Sequence, residues 1–192
     1  MDFFDTLMNI DEDILLYIQE NIRNATADTI MKAVTHLGDM GIFWIMIIFA
    51  LFLSKKYTKT AFIMALTLAL GLLITNLILK NSVHRIRPFH AIEELFPLIN
   101  KPEDWSFPSG HATSSIGCGI AMLRNLPKKY GISGFTIGIL IAVSRIYLGV
   151  HYTTDVVAGA LIGTVSALSS EKIINKADRV IKQKRKSKKS PN

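Results

Sequence analysis

Between Thr60 and Leu79 the chain runs for twenty residues without a charged side chain, and Lys80 closes the run. A helix rises about 1.5 Å per residue, so a block of this length crosses the roughly 30 Å hydrocarbon core of a bilayer. Surface elements of water-soluble folds alternate apolar and polar residues at a helical or strand period, and this block does not. It therefore predicts a membrane helix, and four more apolar blocks accompany it. The first runs from Ile30 to Leu53, but its uncharged part, Gly41–Leu53, has only 13 residues. To reach about 20 it must extend back through Lys32, His36 and Asp39, which then sit near one surface. His36 and Asp39, three apart, read as a structural pair. Pro108–Leu123, Gly131–Tyr147 and Tyr152–Ser170 are the third, fourth and fifth spans. The third and fifth are rich in Gly, Ala and Ser, which lets membrane helices approach closely.

Ahead of these spans, residues 1–24 carry six acids, Asp2, Asp5, Asp11, Glu12, Asp13 and Glu20, against one base, Arg23. Ile14, Ile18 and Ile22 recur every four residues with Leu15 alongside, the pattern of an amphipathic helix. It is too interrupted to span, so it lies at the membrane interface or against the bundle. Its acidic start is unlike the basic start of a cleavable signal peptide. The expected fold is all-α: a polytopic membrane helical bundle of about five transmembrane helices plus the N-terminal amphipathic helix. The divisions are 1–24 for that helix, 25–171 for the transmembrane domain and 172–192 for a basic tail.

The net charge of +7 is concentrated at that end, where nine Lys/Arg follow Glu171 against Asp178. Such a tail invites a nucleic-acid reading, but a basic anchor after a final span explains it better, so no nucleic-acid partner is expected. Lys55, Lys56 and Lys59, then Arg124, Lys128 and Lys129, fall on the same side as the tail in a five-span chain. The positive-inside rule makes that side cytoplasmic. The N-terminus, the 81–107 loop and the 148–152 turn then face outward, although Lys80, Arg85, Arg87 and Lys101 there run against the rule. Outward arginines need another reason, and ligand binding is one. Cys118, the single cysteine, excludes an intrachain disulfide and reads as packing.

Three polar groups meet on the outer face. They are Lys80 to Pro88, Pro108-Ser109-Gly110-His111, and Ser144 to Asp155. Ionisable residues beside apolar spans are costly, and a functional site is their default reading. Pro108 to His111 reads as a helix start whose free N–H groups suit an anion, with Gly110 allowing close approach and the Ser109 hydroxyl adding a donor. Lys80, Arg87 and Arg145 add three positive charges, so together these residues describe a phosphate cradle. His151 and Asp155, four apart, would share one face of a helix, where the carboxylate can hold the imidazole and fix its tautomer; on this stretch alone a structural Arg145–Asp155 pair at a helix end is the equal alternative. His151 then attacks phosphorus in its neutral form. His111 protonates the leaving oxygen and afterwards deprotonates the water that releases phosphate. No carboxylate cluster suited to two-metal catalysis is visible, so neither a metal nor another cofactor is expected. His84, Arg85 and His90 read as solvated loop residues.

Taken as a set, Lys80-(six residues)-Arg87-Pro88, Pro108-Ser109-Gly110-His111 and Ser144-Arg145-(five residues)-His151-(three residues)-Asp155 resemble the three-part signature of the type 2 phosphatidic acid phosphatase superfamily. The resemblance implies a metal-independent lipid phosphatase in a helical bundle, working through a phosphohistidine at His151. It implies His111 as the acid, Asp155 as the residue that orients His151, and Lys80, Arg87, Ser109, Gly110 and Arg145 as phosphate ligands. Many integral members have six spans where five are counted here. Soluble vanadium haloperoxidases share the pocket, but the apolar spans argue against that branch.

The expected function is therefore hydrolysis of the terminal phosphate of a lipid phosphate or diphosphate, such as undecaprenyl diphosphate, phosphatidylglycerophosphate or phosphatidate. The expected setting is a multi-pass protein of the cell membrane, with its site near the extracytoplasmic face, its C-terminus cytoplasmic, and the bilayer and its lipids as partners. The rival is a non-catalytic protein that binds or moves an anionic lipid. A cradle alone needs the cations and the helix start. It does not need His151, His111 and Asp155 together.

Overall fold

A computed structural model describes residues 3–187, so Asp2 of the N-terminal segment and Lys188 and Lys189 of the basic tail lie outside the described residues. The described residues form helices and connections without a β-strand. In chain order the helices are α1 (Phe3–Asn21), α2 (Ala25–His36), α3 (Ile42–Phe52), α4 (Thr58–Leu72), α5 (Lys80–Val83), α6 (Pro88–Ala91), α7 (Gly110–Asn125), α8 (Lys128–Tyr147) and α9 (Thr153–Ser187). A 3₁₀ turn, Asp39–Gly41, separates α2 from α3, and a π-helical stretch, Leu73–Leu79, joins α4 to α5.

The bundle is arranged around α7. Ten of its sixteen residues are buried, among them Ser114, Ser115, Cys118 and Met122. Its small side chains let neighbours come close enough for backbone contact. At Gly138 of α8 an added Cβ would lie 2.5 Å from the Ser115 carbonyl oxygen, so only glycine fits there. Trp44 of α3 closes the core from another side and donates its indole N–H to Ser115 Oγ at 3.0 Å. Around it pack Ile63, Met64, Ile141 and Ala167. Outward, α3, α8 and α9 expose Met46, Phe49, Ile132, Val143, Leu161 and Val165. In water that surface would be unfavourable by about 25 cal/mol per Å², whereas lipid solvates it.

Three helices are long and apolar enough to cross a membrane: Thr58–Ala91, Lys128–Tyr147 and Thr153–Lys184. The pair Ala25–His36 and Asp39–Phe52, bent by 43°, makes a fourth if it counts as one span. The membrane bundle expected from the sequence is thus present. The expected third span is α7, which at sixteen residues is about 24 Å long and is enclosed by other helices. The expected first span is broken, with Met40 at φ 51° and Gly41 at φ 70°.

The basic segments gather at one end of the bundle. There Arg124 pairs with Glu171 at 2.5 Å, and Lys59 approaches Asp178 at 3.6 Å. α9 continues unbroken through the start of the basic segment to Ser187. At the opposite end α1 lies against the bundle rather than away from it. Its Leu15 is buried with Ile92, Leu95 and Tyr152.

Candidate active site

At that opposite end a cavity of about 630 Å³ opens between the α2–α3 break, the π-helical stretch, the start of α7 and the α8–α9 turn. Lys80, Arg87, Gly110, His111, Arg145 and His151 line it. Ser109 and Asp155 sit fully buried behind the wall.

The three cations come from separate elements. Lys80 follows the π-helical stretch, whose Thr75 is tied to Thr113 of α7 at 3.0 Å. Arg87 stands just before α6; its Nη1 donates to the Val150 carbonyl at 2.7 Å. Arg145, near the end of α8, donates from Nη1 to Thr35 Oγ1 at 2.6 Å, while its buried Nε has no partner among the described residues. Asp104 joins the first two: its carboxylate pairs with Lys80 and accepts from Arg87 Nη2 at 2.6 Å. Its backbone carbonyl accepts from Arg87 Nε at 2.7 Å. Burial alone would raise the Asp104 carboxyl, but Lys80 and then Arg87 outweigh it and hold the group down at about 2.

His151 lies in the turn between α8 and α9, as the sequence reading has it, two residues ahead of the helix that carries Asp155. The i,i+4 relation to Asp155 survives because α9 begins at Thr153 and brings the carboxylate back beneath the ring. Asp155 Oδ2 is 3.4 Å from His151 Nδ1, and Arg87 Nη1 is 3.3 Å from Nε2. Burial favours the neutral imidazole; Asp155 opposes this, and the charges of Arg87 and Arg145 reinforce it. Asp155 is itself over-determined. Ser106 Oγ donates to Oδ2 at 2.5 Å, the Tyr152 N–H donates to it at 3.0 Å, and Arg85 Nη1 donates to Oδ1 at 2.7 Å.

His111 occupies the first turn of α7. Ser109 caps that helix, its Oγ accepting the Ala112 N–H at 3.3 Å, which points the start of α7 and the His111 ring into the cavity. The helix starts two residues later than a proline at its first position would give, since α7 begins at Gly110 with Ser109 as its cap and Pro108 stays outside it. His111 Nε2 is 3.1 Å from Asp39 Oδ1. Among the described residues no three or more His, Cys, Asp or Glu side chains are spaced to hold a metal ion.

A family model described as the PAP2 superfamily matches residues 60–179, which contain all three polar groups. The chain belongs to the PAP2 superfamily. Among its PAP2 relatives an undecaprenyl-diphosphatase of Sulfolobus acidocaldarius is 32% identical over 66% of this chain and 61% of that protein. The alignment thus spans about three fifths of that relative's length. Phosphatidylglycerophosphatase B of Bacillus subtilis is 32% identical over 74% of this chain and 72% of that protein. The crystal structure of a transmembrane PAP2 type phosphatidylglycerolphosphate phosphatase from Bacillus subtilis superposes with a TM-score of 0.70 at 26% identity, covering 89% of this chain and 87% of that one.

Four acidic or basic residues of this PAP2 site escaped the sequence reading. Arg85, read as a loop residue, bridges Asp155 to Asp11 of α1, accepted by Asp11 Oδ2 at 2.8 Å, and stacks 3.8 Å from the Tyr152 ring centre. Asp11 was counted with its acidic neighbours, yet it is almost wholly buried and also accepts the Thr154 N–H at 3.0 Å. A signal existed: position 11 is four before Leu15 and seven before Ile18, so it interrupts the apolar stripe. Asp39 carried a weaker signal, its pairing with His36. Asp104 carried none.

Proposed function

We propose that this chain is an integral-membrane lipid phosphatase, removing the terminal phosphate of a lipid phosphate or diphosphate through a phosphohistidine at His151. The observation that carries the reading is the convergence of Lys80, Arg87 and Arg145 on one cavity with two histidines held by different carboxylates. Asp155 accepts the His151 Nδ1–H and leaves the Nε2 lone pair to attack. The Nε2–phosphorus bond forms as the phosphorus–oxygen bond to the lipid breaks. His111 gives its proton to the departing oxygen, then takes one from the water that hydrolyses the phosphohistidine. Lys80, Arg87, Arg145 and the α7 start at Ser109 and Gly110 hold the charge on the phosphoryl oxygens. The unpartnered Arg145 Nε supports this role, since a buried donor without an acceptor is costly and an anion would satisfy it.

Ile45, Leu68 and Leu72 extend the same cavity with apolar wall, which suits the chain of a lipid beside its phosphate. Among lipids a polyprenyl diphosphate is preferred, with phosphatidylglycerophosphate and phosphatidate next. The basic end of the bundle, with the C-terminal segment, faces the cytoplasm, and the cavity faces outward. The test is phosphate release from these three lipids by purified protein in detergent, with and without excess chelator. Release insensitive to chelator is expected, with an acid-labile, base-stable phosphoenzyme that His151→Ala abolishes. Activity that needs added magnesium overturns the mechanism. Binding of all three lipids without release makes the protein a lipid carrier instead.

A further inference from the structure

The three signature segments all lie at or beyond Lys80, but the cavity has a fourth wall, the break between α2 and α3. Thr35 there accepts from Arg145, and Asp39 reaches His111. The backbone is fitted to the His111 ring: a Cβ added at Gly38 would lie 2.5 Å from His111 Cδ2 and 2.7 Å from Ile141 Cγ2. Met40 and Gly41 then turn through positive φ, which returns the chain into α3. A non-glycine residue such as Met40 adopts that conformation at a cost of about 1 kcal/mol or more, and such costs gather at functional sites. The break therefore places one carboxylate against one imidazole nitrogen. Asp39 Oδ2 is in turn 2.7 Å from His36 Nδ1.

We propose that Asp39 is a positioning residue for the leaving-group acid, holding His111 by its Nε2–H so that Nδ1 is the nitrogen that gives and takes the proton. This rests on the reading of His111 as that acid. Nδ1 has no hydrogen-bond partner among the described residues, whereas Nε2 has Asp39. With Nε2–H fixed on the carboxylate, the proton that leaves His111 comes from Nδ1, and the lone pair left there receives the proton of the attacking water. Around the ring Asp39 is the anion, His36 sits behind it, and Arg145 and Lys80 are the facing cations. Asp39 is thus the only negative partner of His111 among the described residues, and His111–Asp39 is a second histidine–carboxylate pair facing His151–Asp155 across the cavity.

The test compares Asp39→Asn and His111→Ala on two substrates, phosphatidate with its poor alkoxide leaving group and p-nitrophenyl phosphate with its good one. The ratio of the two rates within one variant does not depend on how much of the preparation is folded. A positioned acid contributes about 10²- to 10⁴-fold, so losing its orientation should cost phosphatidate turnover roughly tenfold or more, and aryl phosphate turnover much less. Asp39→Glu should restore part of the ratio. Loss of both activities in equal proportion by Asp39→Asn, while His111→Ala shows the leaving-group split, overturns the role of Asp39 alone. Absence of the split in His111→Ala overturns the acid assignment beneath it.

Discussion

Asp104 occupies Lys80 and Arg87, two of the cations proposed to engage the phosphate. Its carboxylate pairs with Lys80 and Arg87 together, so an incoming phosphoryl group has to displace it. Asp104→Asn removes the charge, keeps the shape and leaves the backbone carbonyl bond to Arg87 Nε in place. At an effective dielectric near 20 each pair would be worth about 4 kcal/mol by Coulomb's law. That figure overstates the effect, because the Asp104 side chain is 54% exposed and water screens it. Exposed pairs measure roughly 0.2–1 kcal/mol each, so two of them give about 1 kcal/mol. Competitive inhibition by inorganic phosphate should therefore tighten by roughly fivefold in Asp104→Asn, and KM for the lipid should fall with it.

The pH dependence follows from the sign of the shift. The Asp104 carboxyl is held down at about 2 from its ordinary 3.8, so its contribution is present in full above the ordinary value and is lost as pH falls through about 2. The ratio of wild-type to variant inhibition constants should then be flat between roughly pH 5 and pH 8. The assay is steady-state hydrolysis with added phosphate at several pH values. Inhibition that is unchanged, or weaker, in Asp104→Asn refutes the competition and makes the carboxylate a template that holds Lys80 and Arg87 in place for the substrate.

Two other expectations concern the bundle. A cysteine at exposed Glu94, in a Cys118→Ala background, should react with an impermeant thiol reagent in intact cells, and reaction only after lysis reverses the proposed orientation. Gly138→Val should lower the thermal midpoint in detergent by an amount equivalent to about 1–3 kcal/mol or more, since the Ser115 backbone cannot yield as a side chain can; an unchanged midpoint means the α7–α8 spacing is looser than described.

The parts of this molecule that were legible in the sequence are those that depend on composition over many residues or on a fixed local spacing. Thr60–Leu79 announces a membrane helix because no other element tolerates twenty apolar or uncharged residues in a row. His151 and Asp155 meet because four residues are about one turn, and the meeting holds even though His151 sits outside the helix. Lys80, Arg87, Gly110, His111 and Arg145 reach one cavity because the topology sends their segments to one end of the bundle. What was hidden are the partners of those residues. Arg85 to Asp11 spans 74 positions and His111 to Asp39 spans 72, and no local rule connects residues at such separations. Asp104 sits in a polar loop where one more acid is unremarkable by composition.

Both irregular stretches of backbone within the apolar helices lie at this cavity. The α2–α3 break contributes Gly38, Asp39 and Gly41 to its wall, and the π-helical stretch contributes Asn76 just before Lys80. Within a bilayer, backbone that departs from the α-helix leaves polar groups that lipid cannot satisfy, so it is tolerated only where protein buries it or a polar cavity meets it. Packing gives no reason for both departures to fall on the same space, since the core around Trp44 and Met64 is built from regular helix. The π-helical stretch instead shifts the helix register before Lys80, and the break turns Asp39 toward His111. Each places a charged group where a straight helix of the same length would have pointed it elsewhere. The irregularities thus border the proposed site, and the break in the first span is where the chain sets Asp39 against the His111 imidazole instead of carrying it past on a continuous helix.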